Sequence, residues 1–385
     1  MKRNLLFIGL WSILLLSCNE QPPQSIPQID LSIEYPEREV YLQDVATVSY
    51  LPLETTDEFI FKGYFVDISP EGLASYHRKD GVIFLFDGQG KALLTMNHRG
   101  GGPNEYTEVK KVSVDWNKQE IYVLDVKKHI LIYDFTGKHV RTIDFQHETR
   151  HTDMYPYGAN HFILSKEIPE GINAETIRPY RPLLLLSRTD EQVDSLPYIK
   201  RENVFMTAYM GEMKGIAQQG ILRSFHGEAY LNDIASDTIF HLNAKNNQAT
   251  PLLIRTPSIL AKDDTPYVLT LEGVTPRYIF LKKQIKDHNL EDPNSAKGNR
   301  FIAYDRWSQE FFQPIFKNKD NLEQTINNKD LSQCEGEWGS HLVLEAFHLK
   351  EALEEESLNG ELKNIAERID EEDNPVVMIM KFHNK

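Results

Sequence analysis

VIFLFDGQGK (82–91) is followed 47 residues later by HILIYDFTGK (129–138), with Ile, Asp, Gly and Lys at matching places. Each copy is a short apolar run that closes on a polar, glycine-containing turn, the pattern of a strand entering a hairpin. A second echo lies further along. Glu120-Ile-Tyr-Val-Leu-Asp125 returns as Glu228-Ala-Tyr-Leu-Asn-Asp233, matching Glu, Tyr and Asp at an offset of 108. Two units of about 54 residues fill that gap. Weaker copies of an apolar run ending in a polar turn occur at 183–189, 237–243 and 301–305. A four-stranded meander cannot cover both of its apolar faces alone, so copies pack face to face and close into a ring. From about residue 40 onward there is room for roughly six copies, within the four to eight of known propellers. The expected fold is all-β, a six-bladed β-propeller over residues 40–385.

Near the C-terminus the period changes. Leu349, Ala352 and Leu353, then Leu362, Ile365, Ala366 and Ile369, recur at helical spacing, with Asn359-Gly360 as a stop and restart between two short helices. Residues 350–373 hold ten acids against three bases, which reads as a solvated helix face. The closing apolar run, 375–382, reads as a strand. Its expected partner is the segment 40–53, so that strands from both chain ends close the ring.

The chain of 385 residues is 41% apolar and carries a formal charge of −15. Such an acidic surface repels phosphate backbones, and no nucleic-acid partner is expected. The two cysteines, Cys18 and Cys334, make no disulfide framework. Lys2 and Arg3 precede an apolar run, 5–16, that ends in Ser17-Cys18. Twelve helical residues reach about 18 Å, short of the roughly 30 Å hydrocarbon core, so residues 1–17 read as an export signal rather than a span. Residues 18–39 read as a tether, since 19–29 contains three prolines and three glutamines.

Four stretches then carry a family resemblance. Leu15-Leu16-Ser17-Cys18 looks like a bacterial lipobox, and LPLETT (51–56), RGGGPNEY (99–106) and DNPVV (373–377) follow it in order. In this the chain resembles the six-bladed β-propeller lipoproteins of Bacteroidetes, and more loosely the NHL-repeat propellers, over nearly its whole mature length. The resemblance implies the fold, lipidation at Cys18 and a place in the cell envelope. The anchor would hold an outer-membrane lipoprotein facing the periplasm or the cell surface. It implies no activity.

Several constellations invite a chemical reading. In RGGGPNEY, three glycines let a ligand approach the backbone. Arg99 could pair with an anion, and Glu105 and Tyr106 could hydrogen-bond a sugar or peptide. Because glycine and proline chiefly make turns, the same stretch also reads as the crossing between the first two blades. His147-Glu148-Thr149-Arg150-His151 matches HExxH, which on a helix would place two histidines on zinc. It follows an expected strand and stands near Pro156, so a loop between blades is the better reading. A zinc or calcium site on His147, His151 and Asp153 is the remaining metal reading, and no cofactor is otherwise indicated. Arg223, Arg277, Tyr278, Trp307 and Trp338 could line a carbohydrate surface, although Trp and Tyr in propellers usually pack between blades. The expected function is a non-enzymatic binding or scaffolding propeller for glycan, peptide or envelope-protein ligands. The alternative is a metal-assisted hydrolase or lyase with its site in the propeller mouth.

Overall fold

The computed structural model describes residues 25–127, 129–144, 151–166, 182–189, 193–196, 204, 206–217, 220–225, 227–261, 266–326, 332–333 and 340–383. Within them the chain is all-β: six small sheets with antiparallel main paths follow in sequence order, and a further three-stranded sheet is made by Met213–Ala217, Met206–Met210 and, in parallel, Asp287–Asn289. Sheet I runs Tyr64–Ile68, Gly72–His77, Val82–Asp87, Ala92–Met96, and sheet II runs Val109–Asp115, Glu120–Asp125, His129–Asp134, His139–Asp144. Sheet III runs His151–Tyr157, His161–Lys166, Leu183–Ser187, Val193–Ser195. Sheet IV runs Leu222–Phe225, Glu228–Leu231, Thr238–Asn243, Gln248–Thr256, and sheet V runs Tyr267–Val274, Tyr278–Ile285, Arg300–Asp305, Glu310–Asn318. Sheet VI joins Ser332–Gln333, Ser340–Leu344 and Val376–Phe382 to Ala46–Pro52 from the other end of the chain.

Both sequence echoes fall on equivalent strands. The 82–91 copy is the third strand and outer turn of sheet I, and its 129–138 partner is the same part of sheet II. Each turn is built alike. The Asp87 carboxylate accepts the Gln89 and Lys91 amides at 2.8 and 2.9 Å, and Gly90 takes φ +79°. Asp134 accepts the Thr136 and Lys138 amides at 2.9 and 3.0 Å, with Gly137 at φ +81°. The matching Asp and Gly are therefore what an aspartate-capped turn with one left-handed residue requires.

The third strand is apolar without alternation because both of its faces are buried. Successive side chains point to opposite faces. Ile83 and Leu85 join a cluster with Ile121, Val123 and Leu131 of sheet II. Phe84 and Phe86 pack instead against Val377 and Ile379 of sheet VI, with Phe59 edge-on to both rings. Similar shared clusters join sheets II and III (Tyr122 with Phe162), III and IV (Ile163 with Leu231), IV and V (Leu253 with Leu271), and V and VI (Phe312 with Met378).

The pairing expected of the chain ends is present, antiparallel from Ala46 opposite Phe382 to Pro52 opposite Val376. Two helices, Ala346–Glu354 and Gly360–Ala366, lie between strands of sheet VI and bury Leu349, Leu362, Ile365 and Ala366. The tether expectation needs correction from residue 28 onward. Gln28–Asp30 pairs in parallel with the edge of sheet IV, and Glu37–Tyr41 with the edge of sheet V. Ile29 and Leu31 are at most 1% exposed. Proline-rich composition favours extended backbone, and an extended backbone carrying spaced apolar residues is also what an open sheet edge recruits. Among the described residues no helix is long and apolar enough to cross a membrane.

Candidate functional site

The three conspicuous motifs turn out to be joints. RGGGPNEY bridges sheets I and II. Tyr106 is fully buried, donates to the Gly81 carbonyl at 2.7 Å and accepts the His98 amide at 2.9 Å. Burial pushes its hydroxyl up to about 12. Arg99 Nη1 donates to the Lys79 carbonyl, and the Glu105 carboxylate accepts the Gly102 amide at 2.8 Å. A methyl on Gly100 would lie 2.0 Å from that carboxylate, so a larger residue there would displace the Glu105 side chain from its present place. Next door, His98 stacks on Tyr133 and bonds the Gly137 carbonyl at 2.8 Å. The bonds made by Arg99, Glu105 and Tyr106 are thus internal, and Tyr106, with no exposed surface, corrects its reading as a ligand contact. Tyr106→Phe should cost about 1–3 kcal/mol through two stranded backbone groups, read as a lower denaturation midpoint.

LPLETT and DNPVV meet where sheets VI and I adjoin. Asn374 Nδ2 donates to the carbonyls of Glu54 and Phe59, both at 2.7 Å, and its Oδ1 accepts the Phe61 amide at 2.7 Å. The Glu54 carboxylate in turn accepts the Ala92 amide at 2.8 Å.

The remaining candidates scatter. His147, Trp338, Cys18 and Cys334 lie outside the described residues. His151 opens a strand, opposite Lys166, so the second histidine of HExxH does not sit on a helix. Asp153, from the same strand, lies near Arg223 of sheet IV and Lys111 of sheet II. A methyl on Gly220 would approach Arg223 Nη1 to 3.4 Å and an Asp153 oxygen to 3.6 Å. Burial raises the Asp153 carboxyl, against the opposing pull of Lys111 and Arg223. Among the described residues no three His, Cys, Asp or Glu side chains form a metal-holding group.

Arg277 is spent. It forms bonds of 2.7–3.2 Å to both oxygens of buried Asp305 and lies 4.2 Å over the Trp307 ring. Its partner's neighbour is the more telling residue. Arg306 lines a cleft of about 570 Å³ between sheets IV and V, with Phe225, Tyr230, Pro251, Val274 and Phe382 among its walls. The turn that places Arg306 is built like those of the echo: Asp305 accepts the Trp307 amide at 2.9 Å, and Gln309 takes φ +59°. Asp305 is already taken by Arg277, and among the described residues Arg306 has no carboxylate partner. Burial lowers its pKa, opposed by the hydroxyls of Tyr230 and Tyr304. At the rim, His241 Nε2 and the Glu228 carboxylate are 2.8 Å apart.

Sequence reasoning chose Arg277 and missed Arg306. In the string YDRW nothing distinguishes an arginine whose acid has been taken by another arginine 29 positions earlier.

A crystal structure of a Bacteroides fragilis protein described as exported is similar in fold, with a TM-score of 0.58 at 12% identity over 93% of this chain and 100% of that one. A member of the DUF4221 family from Bacteroides vulgatus gives 0.49 at 11% identity, over 89% and 98% of the two chains. No curated protein matches the sequence. The model of a domain of unknown function, DUF4934, matches residues 26–381, and the chain belongs to that family.

Proposed function

We propose that this protein is a lipid-anchored, non-enzymatic binding protein of the bacterial outer membrane, whose sheets I to VI close into a six-bladed propeller. Closure is supported by the apolar clusters, which link each sheet to the next and sheet VI back to sheet I. Export is supported by the leader and by the exported neighbour of similar fold. The observation that carries the binding reading is the cleft between sheets IV and V. It sets an arginine that has no counter-ion among the described residues beside an aromatic wall, within the size range of small-ligand sites.

Two measurements test this reading. Metabolic labelling with palmitate should mark the protein and Cys18→Ser should abolish the mark; an unlabelled parent removes the anchor. Panels of peptides and glycans should give saturable binding with the ligand recovered unchanged. Turnover of a bound ligand would replace the binding reading with an enzymatic one.

A further inference from the structure

The chemistry of the cleft narrows its ligand, if the binding reading above is taken as the starting point. Among the described residues lining it, Arg306 is the charged side chain with no hydrogen bond or ion pair. Glu228 and His241 pair with one another, and Lys381 is engaged elsewhere. A second donor is also unspent. Tyr230 has no hydrogen bond from its hydroxyl among the described residues, and burial with the nearby Glu228 charge pushes it up to about 12, so it stays protonated. Tyr230 and Arg306 line the same cleft, and the Arg306 charge acts on that hydroxyl. By contrast, both threonine hydroxyls of the cleft are taken. Thr275 Oγ1 accepts the Tyr278 amide at 2.8 Å, and Thr250 Oγ1 donates to the His241 carbonyl.

A neutral oligosaccharide needs many donors and acceptors to replace its water, and this lining has few to offer. A polyanion would be repelled by a chain of formal charge −15. One carboxylate, in contrast, satisfies a guanidinium fork and a phenolic hydroxyl together. We infer that the cleft binds a single carboxylate carried on an apolar body, gripped by Arg306 and Tyr230, with the body against Phe225, Phe382 and the two prolines, Pro251 and Pro276. The C-terminus of an apolar peptide and a free aryl carboxylic acid both present that chemistry.

Calorimetric titration of the purified full chain at neutral pH tests it with four probes. These are 3-phenylpropanoate, its neutral amide, a pentapeptide ending in leucyl-phenylalanine, and the same peptide amidated. Each acid should bind at least about tenfold more tightly than its amide, the scale of a charge-assisted contact. Arg306→Gln should bring the acid down to its amide, Arg306→Lys should fall between, and Tyr230→Phe should weaken the acid several-fold. A peptide acid tighter than phenylpropanoate assigns the site to peptide ends, and the reverse order assigns it to small free acids. Equal binding of acid and amide overturns the inference, as does no carboxylate binding up to about 10 mM. So does an Arg306→Gln protein with unchanged melting and unchanged acid affinity. A neutral glycan bound independently of Arg306 would sink the carboxylate assignment while leaving the binding function standing; turnover without stable binding would sink the latter.

Discussion

Asn374→Ala should lower stability by about 3–5 kcal/mol, a large loss for a single side chain outside the apolar core. The side chain is 4% exposed and reaches three backbone groups of the segment that leaves sheet VI for sheet I. Its own amide donates to Thr55 Oγ1 at 2.8 Å. Alanine keeps the backbone but strands two carbonyls and one amide, each costing about 1–3 kcal/mol if water cannot reach it. Partial water entry puts the expected total below the sum. Asn374→Asp is the informative companion: it keeps an acceptor for Phe61 but turns a second oxygen toward two carbonyls, so it should not rescue. Urea denaturation compares all three proteins. An Asn374→Ala unfolding free energy within about 1 kcal/mol of the parent would mean the junction holds without the side-chain amide.

That asparagine shows how much of the architecture was legible in the residues, and where legibility stopped. The echo at 47 residues was readable because its Asp and Gly are fixed by backbone geometry that every turn of the same shape must meet. The apolar runs were readable because a strand buried on both faces leaves no polar positions. RGGGPNEY, LPLETT and DNPVV were equally visible, but their roles were not. A glycine-rich string with an arginine looks alike whether it cradles a ligand or lets a carboxylate pass within hydrogen-bond reach of Gly102. The parallel edge strands at 28–30 and 37–41 were hidden because their partners lie more than 200 positions away. Arg306 was hidden at a much shorter separation. Its significance depends on which acid Arg277 occupies, a fact of tertiary packing that no local spacing records.

A chain that begins after Pro52 should fail to reach a cooperative native state. The missing stretch supplies the strand Ala46–Pro52 and the buried side chains Ile29, Leu31, Leu42, Val45 and Tyr50. Each buried aliphatic or aromatic side chain contributes about 1.5–3 kcal/mol, so the sum is comparable to the whole 5–15 kcal/mol that separates most domains from unfolding. The way it fails separates two architectures. In an open stack each unit leans only on its neighbours, and damage at one end frays that end while distant units keep their protection. In a closed ring the strand opposite Val376–Phe382 completes the unit that touches both the first sheet and the fifth, so loss should spread to all. Amide exchange across the truncated chain should therefore show protection lost in sheets II to IV as well as in I and VI. A peptide covering residues 25–57, added in trans, should restore protection in all of them together, because the strand and its apolar side chains are what a closed ring would then lack. Protection surviving in sheets II to IV after truncation would make the array an open one and remove the propeller from the proposed function.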